Sequence, residues 1–253
     1  MKVGIITGAS SGLGREFALM ANKYYKDVEE LWLIARRSDR LEELQKHITI
    51  PIRVIQLDLL KEESIYKLKD MLKELKPNVR LLVNAAGYGK IGKVCSVNLE
   101  EETGMVRLNC EGLIAVTHVV LPYIRKGGKI IQFASAAAFM PQPNFSIYAA
   151  SKAFVLSYSR GLQEELRSRD ITVTAVCPGP VRTEFFQVAN TGVKIAMMKS
   201  LAMADAKDVV RLSIKDNLNG KTVSTYGMLM KSLYVITKVL PHSLILKGMR
   251  LIK

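Results

Sequence analysis

Short apolar runs alternate with longer amphipathic stretches along most of the chain. Residues 2–7, 31–35, 52–57, 80–84, 129–134 and 171–176 are short runs dominated by aliphatic side chains. Such runs predict strands covered on both faces, which is typical of parallel sheets between helical layers. A helical repeat separates them, at residues 13–25, 40–47, 61–76, 99–124 and 148–169. Strands alternating with helices predict an α/β fold with right-handed crossovers: a doubly wound, mainly parallel sheet in a single domain. Past Pro178 the pattern loosens. Residues 182–201 show no clear period, 205–215 predict a helix, and 221–225 a last strand.

The first strand runs into Thr7-Gly8-Ala9-Ser10-Ser11-Gly12-Leu13-Gly14 and then a helix. Small residues let a backbone approach a pyrophosphate, and helix N-terminal N–H groups favour its charge. The spacing Gly-x3-Gly-x-Gly differs from the commoner Gly-x-Gly-x2-Gly. Between a first strand and a helix it predicts a dinucleotide site of Rossmann type, although a glycine turn alone is also a plain structural device. The end of the second strand reads Leu33-Ile34-Ala35-Arg36-Arg37, with no acid to accept a ribose 2′-hydroxyl. An arginine there pairs with a 2′-phosphate, so NADP(H) is favoured over NAD(H). Arg36 is the first candidate, with Arg37, Ser10 and Arg15 as helpers; a solvated basic turn is the plainer alternative. Asp58, with Leu59 beside it, follows the third strand where adenine would lie, or is simply a turn residue.

Tyr148 and Lys152 stand four apart in a helical stretch and so share a face. A phenol titrates near 10, too high for a base at neutral pH. An ammonium about 4 Å away is worth about 4 kcal/mol at an effective dielectric near 20, enough to lower it by roughly three pH units. A surface pair on an amphipathic helix would look the same. Context adds weight: Ser135 closes the fifth strand, where its hydroxyl would meet a substrate oxygen. Asn109 sits inside the long helix, where its propensity is poor, which suggests a task such as holding a water near the lysine.

Five features together resemble the short-chain dehydrogenase/reductase family in its short, one-domain branch. They are Thr-Gly-x3-Gly-x-Gly, Asn84-Ala85-Ala86-Gly87, the lone Asn109, Ser135-x12-Tyr148-x3-Lys152, and Pro178-Gly179-x-Val181-x-Thr183. The likeness is close over residues 2–183 and loose beyond. It implies Tyr148 as general acid/base, Lys152 as its ribose-binding partner, Ser135 polarising the carbonyl, and Asn109 completing a proton relay. It further implies Asn84, Ala85, Ala86 and Gly87 at the adenosine side, and Val181 and Thr183 at the nicotinamide carboxamide, with Pro178 and Gly179 leading in. Two departures are mild: Asn-Ala-Ala-Gly replaces the commoner Asn-Asn-Ala-Gly, and Ala134 stands where a second serine often precedes the first.

Length and composition narrow the classes. A chain of 253 residues, 49% hydrophobic and 24% charged, suits one large folded domain. Cys95, Cys110 and Cys177 are few and widely spaced, so no disulfide framework and no metal site is expected, and a reducing, cytoplasmic setting fits. Met1 leads straight into the first strand with no basic leader. The net charge of +14 fits solubility, anionic ligands or an anionic surface. No zinc-finger spacing or RNA-binding signature supports a specific nucleic-acid partner.

We expect residues 1–226 to form the catalytic domain, with the substrate region at about 184–203, and residues 227–253 to form an extension. Phe185, Phe186, Val188, Ile195, Met197, Met198 and Leu201, with Phe139 and Met140, predict a bulky apolar substrate such as a steroid-like ketone or a 3-oxoacyl chain. Residues 221–253 carry six Lys/Arg and no acid. This basic, apolar end either lies peripherally on an anionic membrane or serves as a lid or subunit contact; no transmembrane helix is expected. A homodimer or homotetramer is the expected assembly. The reading from another class is a non-catalytic NADP(H)-binding sensor or scaffold.

Overall fold

The computed structural model describes residues 1–189 and 203–251. Seven parallel strands form one sheet in the order β3-β2-β1-β4-β5-β6-β7. They are β1 (Lys2–Thr7), β2 (Glu30–Ala35), β3 (Ile52–Gln56), β4 (Asn78–Asn84), β5 (Ile124–Phe133), β6 (Thr172–Val176) and β7 (Val223–Ser224). Helices α1 (Gly12–Tyr24), α2 (Ser38–Leu44), α3 (Glu62–Leu75), α4 (Leu99–Val106), α5 (Leu113–Val120), α6 (Ser146–Glu165), α7 (Phe185–Ala189) and α8 (Ala206–Leu218) lie between the strands. Helices α9 (Met228–Val239) and α10 (His242–Leu251) follow β7, separated at Pro241.

Successive strand side chains point to opposite faces, and here both faces are covered. Ile6, Leu33, Val83 and Ile131 pack with Phe17, Ala18 and Ala21 of α1 and Val209 and Ile214 of α8. Ile5, Trp32, Leu82 and Ile130 pack with Leu68 and Leu72 of α3, Val116 and Val120 of α5, and Leu162 of α6. That double burial is why the strands read as continuous apolar runs. The strand order reverses direction beside β1, between β2 and β4. An open α/β sheet has its ligand crevice at such a switch point, beyond the carboxyl ends of the strands.

Three elements depart from the sequence pattern. β5 begins at Ile124 rather than 129, because its register shifts where Gly127 turns back with φ +79°. The helix predicted over 99–124 contains a π-helical turn, Arg107–Gly112, which separates α4 from α5. By length and composition its span Leu99–Tyr123 would suffice to cross a membrane, yet half of that stretch is buried in this domain. Finally, residues 185–189 form α7 in the stretch that showed no period.

Candidate active site

The glycine turn is a close-packed cradle. A Cβ on Gly14 would lie 2.4 Å from the Gly8 carbonyl oxygen, and one on Gly8 would lie 2.7 Å from the Ala86 nitrogen. Gly8 and Gly12 also hold positive φ, which side chains resist. Thr7 Oγ1 accepts from the N–H groups of Ala85 and Ala86 at 3.1 and 3.3 Å, tying the ends of β1 and β4 together. Ser11, at the N-cap of α1, makes no side-chain hydrogen bond to the helix. The first-turn N–H groups therefore keep their partial positive charge for a ligand. The cradle opens into a cavity of about 1400 Å³ that reaches from Arg36 to Tyr148.

At the end beyond β2, Arg36, Arg37, Asp58, Leu59 and Ser10 line the cavity, whereas Arg15 does not. Arg36 forms no ion pair among the described residues. Arg37 is engaged: its Nη1 meets Glu184 Oε2 at 3.3 Å and its Nη2 donates to Ser10 Oγ at 3.4 Å. Arg40 donates to the other Glu184 oxygen at 2.6 Å. These arginines, Arg40 first, hold the Glu184 carboxyl below the usual carboxylate range. Glu184 lies 147 and 144 positions from its partners, so no local pattern announced it. Asp58 Oδ1 accepts from Leu60 N at 3.1 Å, closing a turn at the cavity edge.

Asn84 does not wall the cavity as expected. Its side chain turns into the sheet, where Nδ2 donates to Thr117 Oγ1 at 2.9 Å and Gln132 Oε1 at 3.0 Å. Ala85, Ala86 and Gly87 do line it, as do Ser11, Gly12, Leu13, Gly14, Pro178, Gly179, Val181 and Thr183.

At the other end, α6 presents Tyr148 and Lys152 on one buried face. The Tyr148 ring stacks on Phe145 with centroids 4.3 Å apart and lies 5.4 Å from Phe185. Burial pushes its phenol up to about 12, against a hydrogen bond with Ser135 that pulls it down. Lys152 Nζ donates to the Phe133 carbonyl at 2.8 Å and sits 5.7 Å from the Tyr148 ring centroid. Burial pulls this lysine down to about 8. The sequence arithmetic expected the lysine to lower the phenol; in the protein alone desolvation dominates both groups, and it favours their neutral forms. Ser135 begins a tight turn at the end of β5, its Oγ accepting from Ala137 N at 3.1 Å.

Asn109 lies in the π turn, fully buried, and does not reach the cavity. Its Oδ1 accepts from Tyr88 N at 3.0 Å, and its Nδ2 donates to Tyr88 O at 2.9 Å and to Ser151 Oγ at 3.0 Å. The side chain thus clamps the chain after Gly87 to α6. The water-holding task suggested for it finds its amide already engaged with these groups.

Phe185, Phe186, Val188 and Met140 line the cavity near Tyr148. Phe139 does not; it is buried against Tyr234, with centroids 4.8 Å apart. Ile195, Met197, Met198 and Leu201 lie outside the described residues. The sequence reading missed Tyr88, Ile91, Phe145, Met230, Leu233 and Leu246, all in the wall. Met230 and Leu233, three apart on α9, carried a readable signal in their helical spacing.

The short chain dehydrogenase family model matches residues 2–194. With the fold and the cradle described above, the chain belongs to the short-chain dehydrogenase/reductase family of oxidoreductases. It is 34% identical over 217 residues to sulfoacetaldehyde reductase 2 of Chromohalobacter salexigens, covering 82% of this chain and 85% of that one. It is 32% identical over 190 residues to a serine 3-dehydrogenase of Rhizobium radiobacter, covering 74% and 75%. A solved short-chain dehydrogenase from Sphingobium yanoikuyae, in complex with NADPH, superposes with a TM-score of 0.79 at 26% identity, covering 95% of this chain and 96% of that one.

Proposed function

We propose that this protein is an NADP(H)-dependent dehydrogenase/reductase acting on an alcohol/carbonyl pair of a bulky apolar substrate. The observation that carries the reading is one cavity in which a glycine cradle and an apolar wall meet at Tyr148, Lys152 and Ser135. The glycine geometry fits a dinucleotide: without a Cβ at Gly8 and Gly14, the turn packs backbone to backbone against the Ala85–Ala86 segment and the start of α1, which leaves the helix N-terminus at the cavity floor. Residues 8–14, 85–87 and 178–183 would hold it, and the nicotinamide, when bound, supplies or accepts the hydride. Tyr148 Oη holds the proton given to the substrate oxygen, Ser135 Oγ hydrogen-bonds that oxygen, and Lys152 keeps a positive charge beside both. Asn109 positions the group by fixing Tyr88 and Ser151 around them.

Among the described residues the Arg36 guanidinium has no acidic partner, which supports the 2′-phosphate, and no acid lies between Ile34 and Arg37 to prefer a ribose hydroxyl. The wall supports the substrate class. It is mostly apolar, with Ile91, Met140, Phe145, Phe185, Met230 and Leu233; Tyr88, Gln142 and Asn144 add neutral polar groups, and among the described lining residues the cation on that side is Lys152 alone. Such a wall offers little to a sulfonate or an amino acid, the kinds of compound for which the relatives are named.

We read residues 1–226 as the catalytic domain and the remainder as an extension that closes the substrate end and touches an anionic membrane surface. On α9, Met230 and Leu233 face the domain, while Met228, Leu229, Val235, Ile236 and Val239 are exposed on the opposite side. Lys231 and Lys238 flank that apolar face, and no acid occurs in residues 221–253. A cytoplasmic homodimer or homotetramer fits further exposed apolar side chains such as Val106, Ile114 and Phe154.

The test is a turnover screen. Purified protein with NADPH or NADP⁺, and in parallel NADH or NAD⁺, is offered steroids, 3-oxoacyl thioesters, bulky ketones, sulfoacetaldehyde and serine, following the absorbance of reduced nicotinamide. Bulky ketones with NADPH should give the highest kcat/KM, and Arg36→Asp should swing preference toward NADH. Faster turnover of the small polar compounds would overturn the substrate reading. Equal kcat/KM for the two cofactors would overturn the cofactor reading.

A further inference from the structure

Glu184 joins two walls of the cleft. It follows Thr183, in the segment that leads from β6 into α7, and its carboxylate reaches across to Arg37 at 3.3 Å and Arg40 at 2.6 Å, at the start of α2. Arg37 also donates to Ser10 Oγ in the glycine turn. Ser10, Arg37, Thr183 and Glu184 all face the cavity; Arg40 stands behind them. The carboxylate therefore occupies the guanidinium that an anion arriving beside Ser10 and Arg36 would use.

We propose that Glu184 is a specificity-determining residue, an internal anion that the 2′-phosphate of the cofactor displaces from Arg37 while Arg40 retains it. This rests on the NADP(H) reading above. A phosphate monoester carries nearly two charges at neutral pH and offers three acceptor oxygens, so it outcompetes one carboxylate oxygen for Arg37. The exchange has a cost: Arg37 must leave Glu184, and the two anions then lie close together. Glu184 thus holds the affinity for NADP(H) below what the arginines alone would give, and leaves that for NAD(H) untouched. The exchange also reaches the substrate end. Phe185 is the next residue, and its ring lies 5.4 Å from that of Tyr148. With a 2′-phosphate bound, the segment carrying Phe185 keeps its Arg40 tie and loses its Arg37 tie; with NAD(H) it keeps both.

Dissociation constants for NADPH and NADH, read from nicotinamide fluorescence at low ionic strength, test this in four proteins: unmodified, Glu184→Gln, Arg37→Ala and the double variant. Glu184→Gln keeps the shape and an acceptor oxygen, and the site is partly exposed, so folding is undisturbed. We expect it to tighten NADPH about two- to fivefold, the scale of an exposed ion pair, with NADH unchanged. In the Arg37→Ala background that gain should shrink. NADPH affinity unchanged or weakened by Glu184→Gln, or an equal gain for both cofactors, overturns the proposal. If the unmodified protein binds NADPH no more tightly than NADH, the NADP(H) reading itself has failed and takes this inference with it. A preference for NADPH that ignores Glu184→Gln sinks the inference alone.

Discussion

Lys152→Met should make the protein more stable at neutral pH and less active. The lysine is buried, with 6% of its surface exposed, and burial draws it from its ordinary 10.5 down to about 8. A tenfold change in proton affinity is worth about 1.36 kcal/mol, so confining this charge opposes folding by about 3 kcal/mol below pH 8. The unfolded chain keeps the proton up to about pH 10.5 and the folded chain only up to about 8. Between those values the unfolded state binds more protons, so stability rises with pH across that window. Methionine fills a similar volume without a charge and removes the cost at pH 7. Against this, the Phe133 carbonyl loses its 2.8 Å donor, a loss of about 1–3 kcal/mol for a buried acceptor. The net expectation at pH 7 is a gain of about 1 kcal/mol. Urea denaturation of both proteins at intervals from pH 7 to 10.5 measures it. The difference between the two should swing by about 3 kcal/mol in favour of the unmodified protein as pH rises. Two curves that stay parallel across that range would show that the folded protein holds the Lys152 proton as firmly as the unfolded chain does, and would refute the reasoning.

Tyr148→Phe should lower turnover at least about a hundredfold, the low end of general acid–base contributions, with NADPH affinity little changed; near-normal turnover would remove the phenol from the chemistry. Gly14→Ala should abolish or greatly weaken binding of the nicotinamide cofactor and destabilise the fold by about 1–3 kcal/mol, because its Cβ would meet the Gly8 carbonyl at 2.4 Å. Intact NADPH binding with unchanged thermal stability would contradict the cradle. The protein should co-sediment with anionic but not neutral vesicles and be partly released by high salt, since each basic residue near the surface contributes about 1 kcal/mol. Indifference to anionic vesicles at low salt would remove the membrane contact and leave α9 and α10 as a cover of the substrate end or a subunit contact.

Most of the fold was legible because its signals are local. Double burial of β1, β2, β4 and β6 leaves runs such as Val3-Gly4-Ile5-Ile6 with almost no polar residue, and the Gly8 to Gly14 turn has few uses between a strand and a helix. The spacing of Tyr148 and Lys152 on one helix likewise survives in one dimension. What escaped depends on direction or distance. Asn84 and Ala85 are neighbours at a strand end, yet one turns to Thr117 and the other to the cavity, and the sequence motif treats them alike. Phe139 seemed a wall residue by position, but Tyr234 of α9 covers it. The Glu184 cluster joins segments about half a chain apart. The π turn around Asn109 leaves no hydrophobic trace; only the poor helix propensity of asparagine hinted at it.

The electrostatics of the pair on α6 bear on how the site begins its work. Burial moves Tyr148 up to about 12 and Lys152 down to about 8. At neutral pH those values leave the phenol protonated and the lysine charged. A protonated phenol beside a cation is the state from which a carbonyl oxygen is protonated; taking a proton from an alcohol would first require an ionised Tyr148. Desolvation, which opposes the charged phenol, therefore favours the donor role in the protein alone. The hydrogen bond from Ser135 pulls the phenol back down without ionising it at neutral pH. Because a good proton donor titrates near the working pH, the closer Ser135 and any bound polar group bring the phenol's titration to neutral pH, the faster the proposed proton transfer would be. In the proposed reaction Ser135 would thus do more than hold the substrate oxygen: from the N-cap of the short turn Ala136–Phe139 it would also tune the acid that serves that oxygen.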